Sequence, residues 1–301
     1  MTVAIRLTRA GPLTTLQDAG RPGMLRHGIS ASGPMDRGAF ERGANWLGGA
    51  GMTGIEFTAA GLGFVVEQGP IGVAGDGAAF ALRIGGIKKS WPARAVLKTG
   101  DTVEITPGTA GNYGYLRFDR EIEVPPVMGS RATNSIAGIG GLDGRVLAAG
   151  DRLTFGDFVR HGTSLHPRAQ AVEAGSIRII WGLHADLFAP TLRQRFIGSA
   201  FHVSSRLDRM GVRLEDRQRV FAEERVLSLV SDAIVAGDIQ ILGDGTPIVL
   251  MRDHQPTGGY PRIATVISGD LDRFAQLRPG AELRFEPVTV AHAQALLGGK
   301  R

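Results

Sequence analysis

The sequence predicts a mainly β protein made of many short strands, as in a barrel or a sandwich. Between residues 54 and 118, short alternating or apolar runs recur at close spacing, and the turns between them carry Gly or Asp-Gly. The 44 Gly are spread along the 301 residues as turn residues and do not form a low-complexity tract. This density of strands argues against alternating β-α units.

A turn pattern recurs three times along the chain, each time with an apolar residue, a Gly turn, an acidic residue and a returning strand. The copies are Leu97-x-x-Gly100-Asp101-x-Val103, Leu147-x-x-Gly150-Asp151-x-Leu153 and Leu277-x-x-Gly280-x-Glu282-Leu283. The recurrence indicates either a common turn type or a barrel built twice, once in each half of the chain.

The first half opens with an alternating strand at residues 3–7, followed by a polar segment rich in Gly and Pro up to residue 36. That segment is too long for a plain turn. A helix follows near 35–47, with Ser32 as the predicted N-cap and Gly48-Gly49 as the end.

The second half resumes with a strand at residues 177–181 and another at 212–214, with short helices expected near 190–196, 270–277 and 289–297. Residues 155–172 carry scattered charges and two His, and form the best candidate for a linker. We therefore predict an N-terminal lobe at 1–165, which contains the helix near 35–47, and a C-terminal lobe at 166–301.

The most distinctive stretch is the loop within 251–267, which lies between apolar runs at 247–251 and 263–267. Tandem Gly258-Gly259 allows close approach of the backbone, and Pro256 and Pro261 fix φ on either side. A stiff loop with many hydrogen-bonding groups suits a small-molecule site. The alternative is a polar hairpin connection in a β protein.

The side chains of this loop suit the handling of an amide. The carboxylate of Asp253 can accept an N–H, and the planar fork of Arg262 matches a carboxylate or phosphate. Gln255 and Thr257 can orient a carbonyl, and Tyr260 completes the polar set. The alternative is an internal salt bridge between Asp253 and Arg262. For the segment 204–209, which contains Arg206, the pattern favours a structural network.

Composition excludes several classes of function. A hydrophobic share of 43% and a charged share of 21% are typical of a soluble globular protein, and no apolar run approaches the length of a membrane span. No secretion signal is visible and there is no Cys, so we expect a cytoplasmic protein without disulfides or a thiol nucleophile. The net charge of +5 is thinly spread, which argues against nucleic acid and suits an anionic small substrate or an acidic partner. The seven His are scattered, so no metal site is expected, and His254 is either a base or an ordinary loop His.

Several stretches, in the same order along nearly the whole chain, resemble one family. They are Thr14-Thr15-Leu16-Gln17-Asp18-x-Gly20-Arg21-Pro22-Gly23, Gly28-Ile29-x-x-Ser32-Gly33-Pro34-Met35-Asp36, Pro125-Pro126-x-x-Gly129-Ser130-Arg131, Gly140-Gly141-Leu142-x-Gly144-Arg145, Ser204-Ser205-Arg206-x-Asp208-Arg209-Met210-Gly211 and Thr257-Gly258-Gly259-Tyr260-Pro261. The chain is similar to the allophanate hydrolase subunit 2 family, which includes KipA-like proteins, the PxpC subunit of ATP-dependent 5-oxoprolinase and part of the carboxyltransferase region of urea carboxylases.

The resemblance implies two cyclophilin-like β-barrel lobes with a few short helices, and an obligate KipI/PxpB-like partner. In the oxoprolinase branch it implies a third, PxpA-like subunit, ATP, and opening of the 5-oxoproline lactam toward glutamate. In the carboxylase branch it implies transfer of CO₂ from biotin on a carrier protein to a urea-type nitrogen. A third possibility is a KipA-like antagonist that binds its partner without catalysis.

Carried over residue by residue, the resemblance implies a catalytic set and a substrate-binding set. The catalytic residues are Asp253, Gln255 and Arg262. The substrate-binding residues are Ser32, Gly33, Met35, Asp36, Arg206, Thr257, Gly258, Gly259 and Tyr260. The chain departs from the family pattern at His254, Pro256 and Arg262, where the family has Arg, Thr and Lys, and at residues 182–184, where it lacks a Gly-Pro-Gln turn. These departures bear on the substrate more than on the fold.

Overall fold

The computed structural model describes residues 2–159, 175–222 and 229–298, which fall into two compact units. The first unit contains residues 2–23 and 31–159, and the second contains 24–30, 175–222 and 229–298. The expected lobe boundary after residue 165 lies outside the described residues, as does most of the expected linker. Residues 155–158 of that linker belong instead to a strand.

The first unit is made almost entirely of strands, as the sequence predicts. Its strands are β1 Val3–Ala10, β2 Thr15–Gln17, β3 Gly54–Thr58, β4 Leu62–Gln68, β5 Ile71–Gly77, β6 Phe80–Ile84, β7 Ile87–Lys89, β8 Ala93–Leu97, β9 Thr102–Pro107, β10 Tyr113–Phe118, β11 Arg120–Ile122 and β12 Arg152–Phe158. They form a seven-stranded sheet in the order β11-β12-β1-β4-β9-β6-β7 and a five-stranded sheet in the order β2-β3-β10-β5-β8.

The two sheets of the first unit enclose one apolar core. Alternating residues of β1 and β4 are fully buried, including Ile5, Leu7 and Phe64, and they pack with Phe57 and Phe118. Because side chains alternate across a strand, this pattern sets the register of the sheets.

Helix α1, Arg37–Leu47, covers strands β5 and β10 of this unit. The N-cap is Asp36, whose Oδ1 accepts from the N–H of Ala39 at 2.9 Å, so the prediction that Ser32 caps the helix is wrong. Ser32 lies four residues too early, buried and with φ of 57°. The helix ends as predicted at Gly48, which is left-handed with φ of 68°.

The second unit has ten strands and three helices among its described residues. The strands are β13 Ile177–Trp181, β14 Phe201–Leu207, β15 Gly211–Glu215, β16 Asp232–Ala233, β17 Asp238–Ile241, β18 Pro247–Leu250, β19 Thr257–Gly258, β20 Arg262–Val266, β21 Glu282–Leu283 and β22 Phe285–Pro287. The helices are α2 Pro190–Gly198, α3 Ser268–Ala275 and α4 Val290–Gly298, close to the predicted positions. Short 3₁₀ turns lie at Met24–His27 and Ala185–Leu187.

Eight of these strands form one sheet in the order β21-β14-β15-β18-β17-β20-β13-β22, and β16 pairs with β19. The edge strands β21 and β22 are separated in sequence only by Arg284, so the two edges of the sheet meet and the sheet curls into a nearly closed barrel. In its core, the rings of Phe196 and Phe201 pack against each other, and each also packs against the rings of Phe221 and Phe285, with centroids 5.0–6.4 Å apart. The prediction of a mainly β fold with few short helices is confirmed.

The recurring turn pattern corresponds to one structure used three times. Gly100, Gly150 and Gly280 have φ of 90°, 95° and 84°, where only Gly is unstrained. Each Gly N–H donates to a carbonyl of a neighbouring strand, on Val66, Leu7 and Val203, at 2.7–2.8 Å. The same turn therefore closes strand pairs in both units.

None of the helices that the structure describes is long and apolar enough to cross a membrane.

Candidate functional site

The loop after β18 is fixed at its beginning by a buried ion pair. Asp253 accepts from Arg209, with Nε–Oδ2 at 2.7 Å and Nη2–Oδ1 at 3.1 Å, and the Asp253 N–H donates to the Arg209 carbonyl at 2.7 Å. Both oxygens of Asp253 therefore already have a cationic donor. The alternative expected from the sequence, an ion pair between Asp253 and Arg262, is wrong, because Asp253 pairs with Arg209. The structural network expected at 204–209 is present.

Arg262 closes the other end of the loop. Its Nη1 donates to the carbonyl of Ala233 and its Nη2 to Oδ2 of Asp232, both at 2.7 Å, and Asp238 lies 3.5 Å from Nη1. The guanidinium thereby ties β20 to β16, which in turn pairs with β19 of the loop. Arg262 therefore holds the loop in place and also carries a positive charge at its base.

The tandem glycines permit two close backbone approaches. A Cβ on Gly258 would lie 2.6 Å from Nε2 of Gln240, and one on Gly259 would lie 2.8 Å from the carbonyl of Leu229. The N–H of Leu229 donates to the Gly259 carbonyl. The loop therefore needs Gly at 259, where the close atom is backbone, whereas at 258 the end of the Gln240 side chain would have to shift.

Three side chains of the loop are left available, and we call them the polar rim: Gln255, Thr257 and Tyr260. Gln255 is half-buried, while Thr257 and Tyr260 are exposed. Within the described part of the chain, none of the three side chains forms a hydrogen bond. The rim thus carries an amide and two hydroxyl groups on a base that the two arginines hold rigid.

Two histidines near this loop have a lowered pKa. Burial lowers the pKa of His254 below its ordinary value of 6.5, although the Gln255 carbonyl and nearby carboxylates oppose this effect. His254 is 5% exposed, and its Nδ1 lies 2.6 Å from the Gln255 carbonyl. Burial and the charge of Arg262 also lower the pKa of His184, whose Nδ1 accepts from the Arg262 N–H at 3.3 Å. A neutral His254 packed in the base of the loop fits a structural role better than that of an exposed base.

The polar segment of the first unit is organised by two side chains at its beginning, Asp18 and Arg21. Asp18 accepts from the N–H of Gly20 at 2.8 Å, from Oγ of Ser130 at 2.6 Å and from the N–H of Arg131 at 2.6 Å. Arg21 is fully buried and donates to the carbonyl of Ala132 and to Oγ of Ser32. These contacts join two of the quoted motifs, near residues 20 and 130, into one network.

The predicted substrate-binding residues of the first unit lie within this network. The N–H of Gly33 donates to Gln17, that of Met35 to Glu56 at 2.8 Å, and that of Asp36 to the hydroxyl of Tyr115 at 2.7 Å. Ser32 and Met35 are fully buried. In this chain their polar groups form hydrogen bonds with other groups of the protein. Their role in substrate binding stays a prediction.

A cleft of about 510 Å³ lies beside this segment, along one face of α1. Its walls include Pro34, Arg37, Phe40, Glu41 and Arg117. Arg117 stacks 3.7 Å from the centroid of the Phe40 ring and donates to three backbone carbonyls. Burial lowers its pKa to about 10, which leaves it charged at neutral pH.

Arg206 belongs to a different group of residues in the second unit. It lies on a cleft of about 600 Å³ together with Arg213 and Arg219, and no described residue of the 251–262 loop lines that cleft.

Sequence reasoning missed Arg213 and Arg219, and also Arg209, Asp232 and Glu56 as partners of the site. Of these only Arg209 stood in a recognisable motif, because the others come from strands and turns remote in sequence. In the described ranges, no three His, Asp or Glu side chains are grouped so as to hold a metal ion.

Comparison with known proteins gives a consistent result. Residues 27–287 match the family described as carboxyltransferase domain, subdomain A and B. The chain is 35% identical to the C subunit of 5-oxoprolinase from Escherichia coli (strain K12), over 96% of this chain and 93% of that protein. It is 32% identical to the C subunit of 5-oxoprolinase from Haemophilus influenzae, over 94% and 90%.

Longer proteins contain the same region. Urea amidolyase of Saccharomyces cerevisiae is 29% identical over 97% of this chain, which corresponds to 17% of that protein. The crystal structure of urea amidolyase from K. lactis superposes with a TM-score of 0.87 and 25% identity, covering 99% of this chain and 19% of that one. In these multidomain relatives the present fold is one part of a larger polypeptide.

Proposed function

This chain belongs to the family of carboxyltransferase domains with subdomains A and B, and we propose that it is the C subunit of a 5-oxoprolinase-like complex. In that role it helps to activate and open the 5-oxoproline lactam toward glutamate. The observation that carries the proposal is the polar rim of Gln255, Thr257 and Tyr260, with free hydrogen-bonding groups on a rigid base. Sequence similarity along nearly the whole length of the C subunit of 5-oxoprolinase supports it.

The rim matches the chemistry of a planar lactam. The Gln255 amide can donate to the lactam oxygen through its NH₂ and accept from the lactam N–H through its carbonyl. The hydroxyls of Thr257 and Tyr260 can donate to an oxygen that gains negative charge as the ring opens, and donors fixed before the reaction stabilise such charge most effectively. Gln255 is therefore the proposed catalytic contact.

Asp253 and Arg262 contribute to the proposed site in another way. Their side chains are engaged by Arg209 and by Asp232 with Ala233, so they position the rim. The charge of Arg262 is balanced by Asp232 and Asp238, so its proposed contribution is to hold the loop in place. We propose that Gly258 and Gly259 act through the backbone, by shaping the loop that carries the rim. Within the first unit, we propose that Ser32, Gly33, Met35 and Asp36 act by ordering the polar segment to which they belong.

The remaining parts of the proposal concern ATP, the partners and the location. We propose that ATP is hydrolysed only when a KipI/PxpB-like subunit and a third, PxpA-like subunit are present, and that the complex is cytoplasmic. The described residues that best suit the phosphates of ATP are Arg206, Arg213 and Arg219. When bound, ATP would supply the phosphoryl group that activates the amide.

A second candidate function is the B half of a biotin-dependent carboxyltransferase. Similarity to urea amidolyases at a TM-score of 0.87 favours it. The same rim would orient a urea-type amide, and biotin on a carrier protein would bring the carboxyl group. A neighbouring gene for a biotin carboxylase or a carrier protein would favour this function.

The deciding experiment reconstitutes the chain with both partner subunits and measures phosphate release and glutamate formation with ATP and 5-oxoproline. A second assay, with urea as substrate, also contains bicarbonate, ATP, a biotin carboxylase and a biotinyl carrier protein. We expect release that depends on 5-oxoproline, and a drop in kcat/KM of about a hundredfold for Gln255→Leu, as when a fixed donor to a developing oxyanion is removed. Gln194→Leu, on the exposed face of α2, is the matched control.

Full activity of Gln255→Leu would disprove its catalytic contact. No turnover of either substrate by the complete assembly, despite co-purification with the KipI/PxpB-like subunit, would instead favour a KipA-like antagonist.

A further inference from the structure

The cleft of the second unit has a different chemistry from that of the loop. Its walls come from β14, β15, the turn after β15 and the turn between β17 and β18. Three arginines line it: Arg206 on β14, Arg213 on β15 and Arg219 in the following turn. Arg206 and Arg219 are exposed and Arg213 is half-buried. We call this the arginine cleft.

The guanidinium groups of these three arginines have no hydrogen-bond or ion-pair partner among the described residues, although the charge of Arg213 acts on Asp244 and lowers its pKa. Eight other arginines of the same unit pair with carboxylates, namely Arg178, Arg193, Arg209, Arg217, Arg252, Arg262, Arg273 and Arg284. Three arginines without a carboxylate partner among the described residues therefore line one cavity.

The acidic groups of the cleft are already occupied, with one exception. Glu215 accepts from Arg217 at 2.9 Å, Oδ2 of Asp216 accepts from the Phe221 N–H at 3.0 Å, and Asp244 accepts from the Thr246 N–H at 2.9 Å. Oδ1 of Asp216 is buried and has no partner among the described residues. Asp216 and Asp244 therefore both carry negative charge that works against an anion in this cleft, and of the two only Asp216 has a buried oxygen without a partner among the described residues.

The hydroxyls of the cleft complement its arginines. Ser204 accepts from the Arg206 N–H at 3.1 Å, which orders the backbone that carries Arg206. Ser205 is exposed on the same wall, and Thr246 lies on the opposite turn. Guanidinium forks together with hydroxyl donors match the several oxygens of linked phosphates, whereas a monocarboxylate would satisfy only one fork.

We propose that the arginine cleft is a binding site for a polyphosphate-class anion, held by Arg206, Arg213 and Arg219. The site is distinct from the polar rim. Its use by ATP rests on the proposed function, whereas binding of a polyphosphate to the isolated chain does not require the proposed activity. Because its ligand is recognised by charge, binding should weaken as salt is raised.

Calorimetric titration of the purified full chain with sodium tripolyphosphate tests this site, with a parallel titration of magnesium-free ATP. We expect saturable binding of tripolyphosphate at low ionic strength. Arg206→Gln and Arg213→Gln should each weaken it about tenfold, as expected for loss of one charge-assisted hydrogen-bonding group. Arg206→Lys should fall between wild type and Arg206→Gln, since charge is kept and the fork is lost.

The matched control is Arg284→Gln, which removes the same charge from an exposed arginine of the same unit that does not line the cleft. Its affinity should equal that of wild type. Asp216→Asn should act in the opposite direction and tighten binding severalfold, because it removes the unpartnered negative charge while an amide oxygen can still accept from Phe221.

The ATP titration shows whether the cleft admits a nucleotide or only a polyphosphate without a nucleoside. Equal binding of ATP and tripolyphosphate identifies a nucleotide as a ligand that the cleft admits, and binding of tripolyphosphate alone identifies a ligand without a nucleoside. The proposal is overturned if tripolyphosphate does not bind, if acetate competes at equal concentration, or if Arg284→Gln weakens binding as much as Arg206→Gln. Circular dichroism of each variant establishes that it is folded before its titration is interpreted.

Discussion

Arg209 and Asp253 face each other in a bidentate ion pair that is almost closed to solvent, with side chains 4% and 2% exposed. The two residues lie 44 positions apart in sequence, yet they are also joined by a backbone hydrogen bond from Asp253 to Arg209. The pair connects the motif at 204–211 to the loop at 251–262. The rigidity of the polar rim therefore depends on a contact outside the loop.

Removing the charge of Asp253 should destabilise the second unit. Asp253→Asn leaves the Arg209 guanidinium buried without its counter-ion, which costs about 3 kcal/mol of unfolding free energy. Denaturant unfolding of the isolated chain measures this loss. Asp272→Asn breaks a pair with Arg252 whose acid is 31% exposed, and it should cost less than about 1 kcal/mol. Equal losses for the two variants would contradict the importance of burial.

A double variant separates the fold from the function at this pair. Arg209→Met with Asp253→Leu replaces two buried charges by apolar side chains of similar size, and such replacements are neutral or stabilising. We expect stability near wild type. If Asp253 only positions the rim, the reconstituted complex should keep most of its activity, and a loss of activity with a stable fold would assign Asp253 a contact with substrate.

Arg262 should tolerate Lys better than Gln. The family has Lys at this position, but here the guanidinium bridges the carbonyl of Ala233 and the carboxylate of Asp232. Arg262→Lys keeps the charge and loses one of the two bonds, at a cost of about 1 kcal/mol. Arg262→Gln also leaves the buried Asp238 without a nearby cation and should cost more. Urea unfolding curves of both variants give the order, and the reverse order would show that the retained charge contributes nothing.

Asp36 should stabilise α1 through its cap. Asp36→Ala removes the acceptor for the Ala39 N–H and should cost about 1 kcal/mol, whereas Asp36→Ser should retain most of that energy. The bond from the Asp36 N–H to Tyr115 is preserved in both variants, so the comparison isolates the cap. Thermal unfolding provides the measurement, and equal losses for Ala and Ser would contradict a capping role.

Local patterns were sufficient to predict most of the fold. Alternation in β1, the Gly turns at 100, 150 and 280, and the end of α1 at Gly48 depend on neighbours in sequence. The N-cap was missed because Gly33 and Met35 bond to Gln17 and Glu56, which lie on strands 16 and 21 residues away in sequence. Pairing across a sheet is decided by register, which the local pattern does not contain.

The site was predictable as a segment but not as a set of contacts. The glycines and prolines of the 251–262 loop indicated a stiff polar loop, and the structure has one. The partners of its charges were not predictable, because Arg209 lies 44 residues from Asp253 and Asp232 lies 30 residues from Arg262. Arg213 and Arg219 carry no motif, and only their shared cleft connects them with Arg206.

The buried histidine of the loop should make the stability of this chain depend on pH. Burial holds the pKa of His254 below its ordinary value of 6.5, so the folded chain keeps this ring neutral while the unfolded chain protonates it as pH falls. The unfolded state then binds more protons than the folded state. The contribution of His254 to the unfolding free energy should therefore be constant above pH 6.5. It should decrease as the pH falls from 6.5 toward the pKa of His254 in the folded chain.

Urea unfolding between pH 5 and pH 8 tests this dependence. His254→Gln should flatten part of the slope below 6.5, and the remainder belongs to His184, whose pKa is lowered in the same direction. His292→Gln, on the exposed surface of α4, should reproduce the wild-type profile. A wild-type slope retained in His254→Gln would mean that this ring titrates alike in the folded and the unfolded chain, and it would contradict the prediction.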